Sequence, residues 1–260
     1  MLNPKNDFVN ASVIYDSKGH GHTMPALWDP ARRRCSYDNG KTGIVSINLL
    51  AGDLAERYGG YMPAAVAAEL ALRDADITGT CVCEGGTCEG CYALKMTRYI
   101  DVAIKLILNT LECKQDPARF VALVESELFS EPLTAPRVVR VHDSGDFFSV
   151  PYFTAVLAMI RRHPECRFGA YTKAARVVAP FLAALADNFS LSCSPWKGHC
   201  DPIGDLPQFI LDDGTDPEIA ALPHCPAVDK DGRRTGIKCS QCLHCYKARR
   251  GDRWAVYFHG

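Results

Sequence analysis

Thirteen cysteines make thiol chemistry the first property to consider in this 260-residue chain. Eight of them fall into two groups, and thiolates are the protein ligands that iron–sulfur clusters and many zinc sites use. The N-terminus is polar and has no apolar run of a secretory signal, which predicts a reducing compartment where grouped thiols are usually metal ligands. The first group is Cys81, Cys83, Cys88 and Cys91, and the second is Cys225, Cys239, Cys242 and Cys245.

The first group is compact, with four thiols inside eleven residues of one glycine-rich loop. Cysteines gathered in a single loop are typical of iron–sulfur ligation, whereas structural zinc sites more often pair two short cysteine couples. A helix starting just past Cys91 would direct backbone N–H groups toward an anionic centre. We expect a [4Fe-4S] cluster here, and a structural zinc or unligated buried thiols are the alternatives.

The second group ends in a Cys-x2-Cys-x2-Cys run and includes a distant Cys-Pro pair at Cys225. This spacing is similar to that of bacterial ferredoxins, although the order is reversed. Zinc is the alternative, held by four cysteines or by three cysteines with His224 or His244. The two groups could also share one centre, so the sequence predicts one or two metal centres.

Basic residues surround the second group. Eight Lys and Arg lie from Lys230 to Arg253, against only Asp231 and Asp252. One interpretation is that these cations offset the negative charge of a thiolate-ligated metal. The other is a surface that contacts nucleic acid.

Strand and helix patterns alternate around these groups and must position them. Strands are expected at residues 43–49, 137–141, 167–173, 189–193 and 209–211, with 254–258 returning to the sheet. Helices are expected at 63–74, from just past Cys91, at 151–162 and at 174–186, after irregular structure in the first forty residues. This alternation predicts an α/β fold with a mostly parallel sheet, as a partial (βα) barrel or an open sheet. We assign residues 1–221 to it, including the cysteine loop 78–91, and residues 222–260 to a small cysteine-rich basic module.

Polar residues follow three of the predicted strands. His-Asp-Ser-Gly-Asp at 142–146 ends one, Tyr-Thr-Lys at 171–173 ends the next, and Ser-Cys-Ser-Pro-Trp at 192–196 ends the third. Ligands bind at the carboxyl ends of strands in α/β folds, so these residues are predicted to converge on one cleft. A carboxylate there can pair with a ligand ammonium. Alternatively, 142–146 is a polar turn that caps the next helix.

These motifs together resemble the phage "gene product 88" family over about residues 40 to 260. More distantly, the layout is similar to radical S-adenosylmethionine enzymes, in which three thiolates of a loop hold a four-iron cluster. That resemblance implies that S-adenosylmethionine binds the open iron, with Ser144, Gly145 and Asp146 at its ammonium and Tyr92 and Lys173 as further contacts. It also implies a radical-SAM-like barrel and an unknown substrate.

The loop departs from the radical-enzyme pattern in two places. Four residues separate Cys83 from Cys88, where the usual spacing is three, and Gly90 stands where an aromatic residue usually precedes the last cysteine. If Cys81 is a fourth ligand, no iron is left open for S-adenosylmethionine. Catalysis and simple cluster binding therefore remain alternatives.

Composition narrows the class of protein. Hydrophobic residues make up 47% and charged residues 23%, with a net charge of −1, as in ordinary globular proteins. The apolar run 177–186 is short and contains Pro180, so no membrane partner is expected. We expect a cytoplasmic iron–sulfur protein (in the host cell cytoplasm if phage-encoded) that could be a radical S-adenosylmethionine-type enzyme. The alternative is a non-catalytic zinc or iron–sulfur module that contacts nucleic acid or a protein partner.

Overall fold

The computed structural model describes residues 13–15, 21–23, 35–39, 43–52, 78–81, 93, 97, 100–130, 137–195 and 201–257. Two short strands, β1 (Val13–Tyr15) and β2 (Gly21–Thr23), pair antiparallel with each other. Seven others form one sheet in which neighbours follow chain order. They are β3 (Ser36–Asn39), β4 (Ile44–Ile47), β5 (Val138–Val141), β6 (Arg167–Thr172), β7 (Phe189–Cys193), β8 (Gln208–Asp212) and β9 (Arg253–Tyr257).

The sheet is open and almost entirely parallel. Strand β3 runs antiparallel to β4, and every later neighbour pairs in parallel. Because the six parallel strands are arranged in sequential order, each crossover steps in the same direction, and right-handed connections then place the helices on one face. The predicted α/β fold with a mostly parallel open sheet is confirmed.

The helices are short except near the middle of the chain. They are α1 (Ile100–Gln115), α2 (Pro117–Phe129), α3 (Val150–Arg162), α4 (Ala175–Val178), α5 (Pro217–Ala220) and α6 (Cys239–Cys242), with 3-10 turns at Ala179–Ala184 and His244–Lys247. None of the helices in these described ranges is long and apolar enough to cross a membrane.

Three expectations about elements were wrong or incomplete. The first forty residues contain strands, not only irregular structure, since β3 extends the main sheet. The helix expected at 174–186 is an α-helical turn followed by a 3-10 turn. Pro180 explains this break, because proline lacks the N–H that an α-helix interior requires. The helix expected at 63–74 and most of the cysteine loop lie outside the described residues.

Helix α2 was not predicted, although its start has a recognisable signal. Asp116 is the N-cap, and its side chain accepts a hydrogen bond from the Arg119 N–H at 3.0 Å. Pro117 occupies the first turn, where a missing N–H costs nothing. The helix buries Phe120, Val121, Val124 and Leu128 on one side, at the three- and four-residue steps of an amphipathic helix.

One face of the sheet, which we call the helical face, packs against these helices. Alternate strand residues such as Val139, Phe168 and Leu191 are at most 2% exposed and belong to the main hydrophobic core. Phe153 and Ile160 of α3 are buried in the same core. Burial of this apolar surface is the main force that holds the sheet and the helices together.

The opposite face, which we call the open face, is polar and is covered by the cysteine-rich C-terminal segment. Strand register aligns Ser46, Arg140, Gly169 and Ser190 across it. The Tyr246 ring lies on Gly169, where an added Cβ would be 2.5 Å from Tyr246 Cε1. The segment then ends in β9, which pairs with β8. The chain therefore crosses the open face before β9 completes the sheet, and this return to the sheet was predicted for residues 254–258.

Candidate functional site

The carboxyl edge of the sheet brings together polar groups from neighbouring strands around Asp146. Its Oδ1 accepts hydrogen bonds from the Phe147 N–H and the Thr172 hydroxyl, both at 2.7 Å. Its Oδ2 accepts one from the Lys173 N–H at 2.7 Å. Ser194 joins the same edge, since its N–H donates to the Thr172 carbonyl at 3.0 Å. The three strand ends therefore meet at one edge of the sheet, as predicted, whereas the cleft expected there stays a prediction.

Asp146 is buried, with only 5% of its surface exposed. Burial raises the pKa of its carboxyl group above the usual value, because the charged form loses water. The hydrogen bonds from Lys173, Thr172 and Phe147 act in the opposite direction. A carboxylate has about four acceptor positions, so Oδ2, with a single donor among the described residues, can accept a further hydrogen bond.

The start of the first cysteine loop lies beside Asp146. The Asp146 N–H donates to the Thr80 hydroxyl at 3.1 Å, and that hydroxyl donates to the Leu50 carbonyl at 2.9 Å. The next residue, Cys81, donates its N–H to the Ala51 carbonyl at 3.0 Å. The loop thus leaves the sheet edge just after β4.

Gly145 makes this close approach possible. Its φ is +86°, and an added Cβ would lie 2.6 Å from Thr80 Oγ1 and 2.8 Å from Leu49 Cβ. Only glycine accommodates both the positive φ and the contact. The glycine thus admits the Thr78–Cys81 segment to the sheet edge.

His142 is held in an unusual conformation at the same edge. Its φ is +69°, which is rare for a residue other than glycine, and only 3% of it is exposed. Nε2 lies 2.9 Å from the Tyr152 hydroxyl, and Nδ1 has no partner in the described part of the chain. Burial, with a further contribution from Arg140, lowers the pKa of His142 to about 3, so the imidazole is neutral.

The alternative that residues 142–146 only cap the next helix is wrong. The cap of α3 is Ser149, whose hydroxyl accepts a hydrogen bond from the Tyr152 N–H at 3.4 Å. The 142–146 turn is instead fixed by Asn48, whose Oδ1 accepts from the Asp143 and Ser144 N–H groups. The Ser144 hydroxyl is buried and unpartnered among the described residues.

The second cysteine group lies on the open face, on the opposite side of the sheet from α2 and α3. Cys225 is joined to β9, since its N–H donates to the Ala255 carbonyl at 2.8 Å. The Ser190 hydroxyl donates to the Cys245 carbonyl at 2.7 Å. Cys239 and Cys242 are the end residues of α6, and Ser240 between them contacts Gly43, just before β4. Strand β9, strand β7 and the residue before β4 thus position the segments that carry the four thiols.

These four thiols are electrostatic neighbours. Burial raises the pKa values of Cys225, Cys239 and Cys245, the last to about 11. Mutual repulsion adds to this effect, since Cys242 raises the pKa of Cys225, and Cys225 raises those of Cys239 and Cys245. Four thiolates at this place therefore need a compensating positive charge.

Arg140 supplies part of that charge from the sheet and was not predicted from the sequence. It lowers the pKa values of Cys225, Cys239 and Cys245. Its Nε lies 2.9 Å from Asp143 Oδ1, and its guanidinium lies 4.8 Å from the centre of the Tyr171 ring. The available signal was a charged residue at an alternate position of the apolar strand Val138–Val141. Arg140 connects the thiol group to the 142–146 turn.

The histidines considered as substitute ligands differ in how they are held. His224 Nε2 lies 2.8 Å from Asp212 Oδ2, and its ring stacks on Tyr257 with centroids 4.0 Å apart. The rings of His244 and Trp254 form a T-shaped contact, with their centroids 5.3 Å apart. The interaction with Asp212 occupies Nε2 of His224 and leaves Nδ1 as the nitrogen that could bind a metal, which is the usual arrangement of a metal-binding histidine, so His224 stays an alternative ligand.

The side chains as they stand do not form a coordination shell. In the described ranges, no group of three or more Cys, His, Asp or Glu is arranged to hold a metal ion. The four thiols nevertheless fit a thiolate-ligated metal by chemistry, since they are neighbours beside a fixed cation and thiolates are the soft donors that zinc and iron–sulfur clusters take. A bound metal would have to draw the sulfurs together.

The remaining predicted site residues divide by location. Cys83, Cys88, Cys91 and Tyr92 lie outside the described residues. Lys173 contributes its backbone N–H to Asp146, as described above. Tyr171, noted in the sequence only as a strand end, has a hydrogen-bonding partner in Cys245.

Comparison with known proteins identifies the family. The family model described as "Gene product 88" matches residues 46–248, which is most of the chain and includes both the carboxyl edge and the open-face thiols. The chain belongs to the gene product 88 family. The predicted resemblance to that family is thereby confirmed, whereas the more distant resemblance to radical S-adenosylmethionine enzymes is not shown by these comparisons.

Two mycobacteriophage relatives in this family have been named. The "Gene 88 protein" of Mycobacterium phage L5 is 28% identical over 185 residues, which cover 62% of this chain and 74% of the relative. The "Gene 88 protein" of Mycobacterium phage D29 is 28% identical over 160 residues, which cover 58% of this chain and 63% of the relative. No solved structure matches the chain. The names of these gene product 88 relatives state no activity, so the function has to be argued from the site.

Proposed function

We propose that this gene product 88 protein is an iron–sulfur protein in which Cys225, Cys239, Cys242 and Cys245 hold a metal centre against the open face of the sheet. The observation that supports this best is the convergence of four partly buried thiols beside Arg140, since their thiolate forms would repel one another there. A bound metal cation would remove that repulsion. The first cysteine group is proposed to hold a second cluster at the carboxyl edge.

A metal at the second group would also have a structural role. The segment from residue 222 to 252 contains little regular structure, and its buried side chains are few. Metal binding of this kind contributes directly to folding, with apparent free energies of about 10–16 kcal/mol in small zinc-binding peptides. We therefore expect the open-face covering to depend on the metal.

The test is metal analysis of protein purified without oxygen, with Cys242→Ala and a matched cysteine variant. Wild-type protein should be brown and contain iron and acid-labile sulfide. Cys242→Ala should lose the metal of this centre and either melt at a clearly lower temperature or become insoluble. Cys166→Ala is the control, because Cys166 is buried on the far side of the sheet beside Glu165.

The outcomes separate the alternatives. Colourless protein with stoichiometric zinc and no sulfide would contradict iron and leave a structural zinc module. Equal metal content in Cys242→Ala and wild type would show that the second group is not a ligand set.

We further propose that S-adenosylmethionine binds at the carboxyl edge beside Asp146. The first cysteine loop leaves the sheet at Cys81, and the preceding Thr80 hydroxyl accepts the Asp146 N–H. A four-iron cluster with one iron free of protein ligands would supply a chelating position and an electron for S-adenosylmethionine cleavage. The chain itself would bind the ligand ammonium through the remaining acceptor position of Asp146 Oδ2.

This binding can be measured without turnover. Asp146→Asn should weaken S-adenosylmethionine binding by equilibrium dialysis about ten- to a hundredfold, as expected for a lost charge-assisted hydrogen bond of roughly 1.5–3 kcal/mol. Asp213→Asn, at the exposed end of β8, is the control and should bind like wild type. If S-adenosylmethionine neither binds nor changes the cluster spectrum, and Cys81→Ala destroys that spectrum, the cluster is fully ligated by protein and non-catalytic.

A further inference from the structure

The charge of the chain is unevenly distributed, and the excess positive charge lies in one segment. Residues 230–253, which we call the basic segment, contain eight of the 29 Lys and Arg and two of the 30 Asp and Glu. The basic segment therefore carries a net charge of +6, while the rest of the chain, with 21 cations and 28 acids, carries −7. A distribution this uneven calls for a physical reason.

Compensation of a metal centre does not account for this excess. Four thiolates around a divalent metal leave about two negative charges, far fewer than the six positive charges of the segment. The cation that lowers the thiol pKa values is Arg140 of β5, which lies outside the segment. All eight cations of the basic segment are exposed to solvent.

Most of these cations are also not neutralised by neighbouring acids. Arg233 pairs with Asp231 at 3.4 Å, and Arg250 pairs with Asp205 at 3.0 Å. The other six make no ion pair within the part of the chain that the structure describes. They are Lys230, Arg234, Lys238, Lys247, Arg249 and Arg253.

The backbone that presents these cations is ordered by its own hydrogen bonds. Asp229 Oδ1 accepts from the Asp231 and Arg233 N–H groups and so fixes a tight turn. The Thr235 hydroxyl donates to the Pro226 carbonyl at 2.6 Å, which ties this turn to the residues after Cys225. A fixed backbone reduces the entropy lost on binding, so the cations are partly preorganised for a partner.

We propose that the basic segment is a docking surface for the phosphate backbone of double-stranded nucleic acid. Six unpaired, exposed cations match a regular array of phosphates, whose neutralisation releases counterions. Tyr246 is the single Phe, Tyr or Trp of the segment, and Trp254 directly follows the segment. Both side chains are buried and cannot stack on unpaired bases. Single-strand binders depend on such stacking, so the duplex is favoured.

An anionic lipid surface is the other polyanion that cations could meet. Membrane-surface segments combine cations with an apolar face that enters the bilayer. Among the described residues, the large exposed hydrophobic side chains are Leu123, Val150 and Ile237, and only Ile237 belongs to the basic segment. The segment therefore favours phosphates of a nucleic acid over those of a membrane.

The experiment measures binding of the full chain to a labelled 20-base-pair duplex by fluorescence anisotropy. Raising salt from 50 to 200 mM should weaken binding about a hundred- to a thousandfold, as expected for four to six phosphate contacts. The triple variant Lys230→Gln, Arg234→Gln and Lys247→Gln should flatten the slope of log affinity against log salt by about three and weaken binding at 100 mM salt by tenfold or more. Its melting temperature should equal that of wild type.

The matched control removes three cations elsewhere, with Arg119→Gln, Arg167→Gln and Arg176→Gln, all of which are exposed. It should bind the duplex like wild type. Equal weakening in both triple variants, or no duplex binding at 50 mM salt, would overturn the proposal. So would binding to phosphatidylserine vesicles without duplex binding, or a tenfold preference for a single strand. If the triple variant is unstable, the three single variants replace it, and each should lower the slope by about one.

Discussion

The two faces of the sheet are built from the same strands but are held in different ways. On the helical face, Phe168 and Val139 are fully buried among apolar side chains of α2 and α3. On the open face, the residues one step along the same strands are Gly169 and Arg140, and their contacts are an aromatic ring, a carboxylate and thiols. The helical face is therefore stabilised by the hydrophobic effect alone, whereas the open face is expected to need a metal as well.

Because of this difference, the stability of the helical face and the integrity of the thiol group should respond to different mutations. A defect on the helical face should lower the free energy of unfolding of the whole sheet without changing the thiol group. A defect on the open face should release the cysteine-rich segment and the metal first. Two substitutions and a change of pH test that separation, in decreasing order of their effect on the free energy of unfolding.

Phe168→Ala should destabilise the protein by about 3–5 kcal/mol, because a fully buried aromatic side chain is lost and a cavity remains. Denaturant unfolding measures this change. The protein that still folds should keep the metal content of wild type, since Phe168 points away from the thiols. Metal loss in proportion to the destabilisation would show that the two faces are not separable.

Gly169→Ala should cost about 1–3 kcal/mol, although alanine is normally better than glycine in a strand. The added Cβ would lie 2.5 Å from Tyr246 Cε1, so the ring and the adjacent Cys245 must move. Metal affinity should fall along with stability, in contrast to Phe168→Ala. The clash depends on the ring, and a double-mutant cycle with Tyr246→Ala should therefore show strong coupling. Additive effects would mean that Tyr246 does not cover Gly169.

Close to neutral pH, His142 gives the smallest effect, a pH dependence at the edge where the two faces meet. Its pKa is lowered to about 3 in the folded protein, so below its ordinary pKa of 6.5 only the unfolded state takes up the proton. The free energy of unfolding should therefore fall by about 1.4 kcal/mol per pH unit as the pH drops from 6.5 toward 3. Above pH 6.5 His142 is neutral in both states, so the full stability is present there.

His142→Asn is the comparison variant, because asparagine tolerates a positive φ and does not titrate. The difference between the free energies of unfolding at pH 7 and pH 5 should be smaller in this variant than in wild type. The expected reduction is the contribution of the one proton that His142 takes up on unfolding. An unchanged pH dependence would indicate that His142 is solvated in the folded protein.

Much of the fold could be predicted from local patterns. The strands at β4, β5, β6, β7 and β8 and the helix α3 follow from apolar runs of the right length and period. Helix α2 was missed because its Asp116–Pro117 start and its apolar positions were not read together. The 3-10 turn at Ala179–Ala184 was missed because the apolar composition suggested a continuous helix despite Pro180.

The chemical groups were apparent in the sequence, but their surroundings were not. Residue types and spacing were sufficient to predict that Cys239, Cys242 and Cys245 lie close together and that the 142–146 turn lies at the carboxyl edge. They could not show that Thr80 hydrogen-bonds to Asp146 or that the charge of Arg140 lies close to the thiols, since these pairs are 66 residues or more apart in the chain. Such contacts depend on strand order and register, which neither segment encodes alone.

Local patterns in the sequence were enough to predict the α/β class, the two cysteine groups and the polar edge, because strand and helix periodicity and ligand spacing are local properties. The position of the cysteine-rich segment over the open face became apparent only in the folded structure. That placement follows from strand register, which aligns Gly169 with Arg140 on one side and Ser190 on the other. Gly169 stands between these two polar residues and leaves room for the Tyr246 ring. The thiols then lie beside Arg140, the charged residue of β5.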